Sequence, residues 1–85
     1  MVRLIQVRKN STQSFSLKEL WVNVDNIISV ENDDRMNGFF VENWEQFPEG
    51  LDEHTTFSKI RLVGFGAATD YLQVVGSPES VASKL

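Results

Sequence analysis

Five short runs of strand character punctuate this chain: "RLIQVRK" (3–9), "FSLKELWVNV" (15–24), "IISVEN" (27–32), "TTFSKIRLV" (55–63) and "YLQVV" (71–75). Successive side chains on a strand point to opposite faces, so a period of two buries one face and wets the other. In the first run Ile5 and Val7 fall on one face and Leu4, Gln6 and Arg8 on the other; in the fourth, Ser58, Ile60 and Leu62 alternate with Phe57, Lys59, Arg61 and Val63. Turn-forming residues separate the runs, beginning with "NSTQS" (10–14), so consecutive strands are expected to pair antiparallel.

The second run changes phase. Phe15 and Leu17 alternate with Ser16 and Lys18, then Leu20, Val22 and Val24 alternate with Trp21 and Asn23. A bulge near Glu19 is the expectation, because an extra residue shifts the alternation by one. The stretch "WVNVDNIISVEN" (21–32) then places Asn23, Asp25 and Asn26 inside the most apolar part of the chain, where strands disfavour them. Asn and Asp side chains bond nearby backbone N–H groups in turns, so these three predict a tight corner after about Val24 and a third strand from Ile27.

Toward the C-terminus "GFGAATD" (64–70) has loop composition, and "GSPESVASKL" (76–85) changes period. Ser77 suits an N-cap, Pro78 the first helical position and Glu79 the positive end of the helix dipole, which predicts a short helix over 77–85. Such a helix is marginal alone, so Val81, Ala82 and Leu85 are expected to dock. The fold class is therefore mainly β. It is a small five-stranded antiparallel sheet or open barrel with a short C-terminal α-helix and a long acidic, aromatic insertion between strands 3 and 4. One domain, residues 1–85, is predicted, with the insertion at about 32–55.

The chain has 85 residues and no cysteine, so it has one modest core and neither disulfides nor thiolate chemistry to support it. That favours a cytoplasmic setting, and no apolar run approaches the length of a membrane span. Net charge is −4 but unevenly spread: residues 31–53 hold eight acids against Arg35, and the remainder carries seven bases against four acids. A mildly basic body bears an acidic excursion.

"WVNVDNIISVE", a later strand pair and "VVGSPESVASKL" resemble the small flagellar FlbD-like proteins, which have an N-P-D-x-I-x-x-I-E run, a strand hairpin and a final helix. The resemblance spans about residues 15–31 and 56–85. It implies the same small sheet with Asn23 and Asp25 as corner residues and Ser77 as helix cap, without a flagellar role. Val24 stands where that family usually has proline, and 32–55 has no counterpart in it.

Catalytic signals are weak. His54, the one histidine, neighbours Asp52 and Glu53, yet sequence neighbours on a polar loop seldom converge on one ligand. "NDDRMNG" supplies Asn32, Asp33, Asp34 and Asn37 but lacks the ligand spacing of a calcium loop. Gly64 and Gly66 join two strands, whereas a phosphate cradle opens a helix. No serine sits in a nucleophile elbow. No enzyme activity, cofactor or metal is expected.

The distinctive segment is "MNGFFVENWEQFPEGL" (36–51), with Phe39, Phe40, Trp44 and Phe47 among acids. Asn37-Gly38 favours a tight turn, and Trp44 with Phe47 at i, i+3 suits one helical turn that Pro48 and Gly50 end. Either these aromatics fold back over an open end of the barrel, or some face outward as an interaction surface. The leading expectation is a non-catalytic protein-interaction or regulatory module, self-associating as a homo-oligomer through 36–51 or binding a protein partner. An alternative is nucleic-acid binding on a basic sheet face through Lys18, Lys59, Arg61 and Arg8, with Trp21 stacking on bases; the overall acidity opposes it. A third is an acidic DNA mimic that occupies a DNA-binding partner.

Overall fold

The computed structural model describes residues 1–10, 14–48, 50–52, 54–63 and 69–85. Its strands are β1 (Val2–Lys9), β2 (Phe15–Val22), β3 (Ile27–Asn32), β4 (Phe57–Val63) and β5 (Thr69–Val75). They form one antiparallel sheet in the order β2-β1-β5-β4-β3. The two helices are α1 (Asp34–Glu42), within the insertion, and α2 (Pro78–Ala82) at the C-terminus. Among the described residues, no helix is long and apolar enough to cross a membrane.

β2 and β3 are consecutive in the chain yet occupy opposite edges of the sheet. Laid flat, four strand spacings of about 4.8 Å would separate them laterally, and nearly a strand length would separate Val22 from Ile27 along the strands. The five residue steps between them reach at most about 17 Å, and less through a 3-10 turn. The sheet must therefore coil until the end of one edge strand meets the start of the other, as accumulated strand twist allows. That corner is a 3-10 turn over Val24–Asn26, capped by Asn23, whose Oδ1 accepts the Asp25 N–H at 3.1 Å. Asn26 N–H donates to the Asn23 carbonyl at 3.0 Å.

Coiling gives the sheet a concave face that packs on itself. Val2, Leu4, Val22, Ile60 and Val74 meet there, with Leu20, Ile27, Val30, Leu62 and Leu72 around them and Val81 of α2 added from outside the sheet. A second core forms on the opposite, convex face. There Val7 and Phe57 lie under Met36, Phe40 and Phe47 of the insertion, with Phe15, Leu17, Leu51 and Val75 at the margin. The insertion thus covers the convex face of the sheet rather than an end of the barrel.

Two cores explain the phase change in the second strand. β1 and β2 pair without interruption from Val2↔Val22 to Lys9↔Phe15, so the bulge expected near Glu19 is absent. Phe15 and Leu17 face the insertion, whereas Leu20 and Val22 face the concave core, and the buried side switches midway along a regular strand. The register irregularity lies instead between Ile27 and Ser29, on the edge strand β3.

Four other expectations change in detail. The second strand ends at Val22 rather than Val24, and the fifth begins at Thr69, inside the stretch of loop composition. The C-terminal helix spans only Pro78–Ala82, capped by the Ser77 side chain, which accepts the Ser80 N–H at 3.1 Å. Of its expected docking residues only Val81 is buried; Ala82 and Leu85 are exposed. Gly76 makes the turn into α2 at φ +121°, a conformation that L side chains rarely adopt. It is held there on both sides, since its N–H donates to the Thr56 carbonyl at 2.8 Å and its carbonyl accepts the buried Ser58 hydroxyl at 2.7 Å.

Candidate functional site

The start of the insertion, residues 32–37, is held to the sheet by polar groups. Asp33, only 3% exposed, caps α1: its Oδ1 accepts the Met36 N–H at 3.0 Å and its Oδ2 accepts Gln73 Nε2 at 3.1 Å from β5. Capping satisfies a backbone donor that the first turn of a helix leaves free. Asn37 Oδ1 accepts the Phe57 N–H at 2.7 Å, and Asn37 Nδ2 donates to Asn32 Oδ1 at 3.1 Å. Asn32 Nδ2 in turn donates to Asp34 Oδ1. The calcium-loop-like set "NDDRMNG" is therefore a helix start stitched to β4 and β5. Asn37 and Gly38, expected to turn, lie inside α1 because the Asp33 cap and the i, i+4 pair Met36–Phe40 favour helix there.

Beyond α1 the Asn43 N–H and its side-chain Nδ2 both bond the Phe39 carbonyl, at 2.9 and 3.2 Å, and a 3-10 turn follows over Trp44–Gln46. This turn sends Phe47 inward. Its ring stacks on Phe15 at 4.3 Å between centroids and meets Phe40 edge-on at 4.8 Å; Phe40 meets Phe57 at 5.3 Å. Of the four expected interaction residues, Phe40 and Phe47 are thus core. Phe39 is 37% exposed, with its ring 5.5 Å from that of Phe15, and Trp44 is left 67% exposed.

Trp44 does not stand alone. Val41 on α1 is 74% exposed beside it, and the two flank an open cleft of about 940 Å³ that Phe40, Leu51, Asp52 and His54 also line. A smaller recess that shares Phe40, Trp44 and Leu51 with the cleft is lined also by Glu45, Phe47, Pro48 and Gly50. The far wall is set by an Asp turn: Asp52 Oδ1 accepts the His54 N–H at 2.8 Å, and Thr55 Oγ1 accepts the Asp52 N–H at 3.1 Å. Val41 and Leu51 were not foreseen as site residues. The signal for Val41 was available in the helical spacing, since on a helix that buries Met36 and Phe40, residue 41 points away from the sheet.

The basic set does not assemble into one face. Lys18 pairs with Gln6, which pairs with Val74, so it lies on the concave side; Lys59 and Arg61 alternate with the concave Ile60 and lie on the convex side. Trp21, opposite Arg3, sits at the far end of β2 from them. What does converge is Tyr71 with Lys59 and Arg61, whose charged groups lie 5.2 and 5.4 Å from its ring centroid. Glu31 is directly opposite Lys59 on β3. Among the described residues no group of three or more histidine, aspartate or glutamate side chains is placed to hold one metal ion. Gly64 and Gly66 lie outside the described residues. Comparison with known proteins finds no family model, no curated protein and no solved structure that this chain matches.

Proposed function

We propose that this chain is a non-catalytic protein-interaction module whose contact surface is the ridge of Val41 and Trp44 with the cleft between them and Leu51. One observation carries the reading. In a segment that buries Met36, Phe40 and Phe47, the largest side chain of all faces water beside an apolar floor. Exposed tryptophan over a preformed apolar recess is the composition of an interface hot spot, and rigid support behind it lowers the ordering cost of binding. A two-fold self-contact through this ridge is disfavoured, because it would oppose Glu42, Glu45 and Asp52 of one copy to the same acids of the next. Self-association remains an outcome that light scattering across concentration would reveal.

The test is a photo-reactive side chain placed at position 44 and, as a control, at position 21, another exposed tryptophan, on β2 and outside the lining of the cleft. Illumination in extract of the protein's own source should give a discrete cross-linked protein from position 44 alone. Equal labelling from both positions, or none from either, would overturn the proposal. The group of half-buried Lys59 with exposed Tyr71 and Arg61 favours a second reading, single-stranded nucleic acid stacked on Tyr71. Glu31 opposes it locally and the −4 net charge opposes it globally. Absence of a mobility shift at low salt eliminates that reading.

A further inference from the structure

We infer that the partner segment taken by this cleft is a basic amphipathic stretch of another protein, with bulky aliphatic residues entering between Val41, Trp44 and Leu51 and lysine or arginine lying along its rim. The inference rests on the interaction reading above and adds the chemistry of the occupant. The floor is apolar: Phe40 and Leu51 offer no polar side-chain atom to an entering group, so a matching anchor must itself be apolar. The rim is acidic. Asp52 lines the main cleft, Glu45 the adjoining recess, and Glu42 is exposed on the last turn of α1.

No lysine or arginine is among the described lining residues, and the stretch from Glu42 to Glu53 holds five acids and neither of these bases. None of Glu42, Glu45 or Asp52 has a basic partner among the ion pairs described, whereas Arg3 on β1 is paired with Glu19 on β2 at 3.3 Å. An acidic partner would meet like charge at close range, and a neutral one would forgo the long-range attraction that speeds encounter. A basic segment takes both the floor and the rim.

The test uses designed peptides of about 14 residues, long enough for one amphipathic face. Four probes differ only in composition: leucine with lysine, leucine with glutamate, leucine with glutamine, and alanine with lysine. Binding is read from Trp44 fluorescence in a Trp21→Phe variant, so that a single indole reports. The Leu–Lys peptide should bind at least about tenfold more tightly than the Leu–Gln peptide, and its affinity should fall by about tenfold between roughly 50 and 500 mM salt. Glu42→Lys combined with Glu45→Lys, both at exposed positions whose side chains hold no described hydrogen bond, should abolish that preference without altering the circular dichroism spectrum.

If Leu–Gln binds as well as Leu–Lys, the charge inference falls while the docking surface stands. If Ala–Lys binds as well as Leu–Lys, the cleft is not the anchor site and the inference falls. If no peptide shifts the Trp44 signal while cross-linking at position 44 still captures one protein, the basic-occupant inference alone is overturned.

Discussion

Phe47 and Trp44 are three residues apart on one 3-10 turn, yet their loss should be felt very differently. The Phe47 ring touches the aromatic cluster on several sides, with centroids of Phe15, Phe40, Phe57 and Phe39 at 4.3, 4.8, 5.7 and 6.2 Å. Truncating a buried phenylalanine to alanine costs about 3–5 kcal/mol, from lost burial plus the cavity left behind. A domain of this size has a total stability of roughly 4–13 kcal/mol, so Phe47→Ala should leave it marginal or unfolded. Phe47→Leu keeps the site apolar and nearly filled and should cost about 1–1.5 kcal/mol. In a domain of 60–100 residues each kcal/mol lowers Tm by about 4–8 °C, so the leucine variant should melt roughly 4–12 °C below the parent. Trp44→Ala, at an exposed site, should stay within about 0.5 kcal/mol. Thermal unfolding followed by circular dichroism decides the matter. Trp44→Ala melting as low as Phe47→Leu would mean that the turn is oriented the other way and that the interaction surface has been misassigned.

Replacing residues 36–51 by a short Gly/Ser linker should unfold the chain, because it removes Met36, Phe40 and Phe47 and uncovers Phe57 and Val7; a cooperative transition close to the parent's would show that the sheet stands without its cover. Asn37→Ala should cost about 1–3 kcal/mol by leaving the Phe57 N–H without its 2.7 Å acceptor, and should speed exchange of that amide, measurable by NMR. Gly76→Ala should cost about 1–3 kcal/mol by denaturant titration, since a Cβ at φ +121° is strained and meets Val81 Cγ2 at 3.4 Å; a change under about 0.5 kcal/mol would contradict the turn geometry.

What was legible in the sequence was local. Alternation located all five strands, and the Asn23–Asp25 hydrogen bond is the kind of side-chain cap that turn chemistry anticipates. Ser77 caps its helix for the same reason. What could not be read was which face of each strand the rest of the chain would cover. A sheet with a second core on its convex side makes Phe15 and Leu17 buried on one face and Leu20 and Val22 on the other, and alternation alone cannot distinguish that from a bulge. Asn37-Gly38 failed as a turn for a related reason. Its preference was overridden by a cap two elements away from the residues it pairs with, since Asp33 is fixed as much by Gln73 on β5 as by α1. The aromatic count drew attention to the right segment but not to its division into core and surface, because the 3-10 turn that sends Phe47 inward also leaves Trp44 outside.

That division has a consequence for how binding and folding are coupled. Phe40 has one side against Phe57 at 5.3 Å and another forming part of the cleft wall, so it belongs to the second core and to the candidate surface at once. A ligand in the cleft contacts a side chain whose position depends on the insertion being docked on the sheet. It should therefore bind the folded chain only and raise Tm as its concentration passes Kd. Phe40→Leu should lower stability by about 1 kcal/mol and weaken the Leu–Lys probe together, because the floor and the core are the same ring. Val41→Ser should separate the two: it removes apolar area from the exposed side of the cleft, so it should weaken the probe while leaving unfolding within about 0.5 kcal/mol of the parent. If Val41→Ser instead destabilises the chain by more than about 1 kcal/mol, Val41 is packed rather than presented, and the ridge on which the interaction reading depends does not exist.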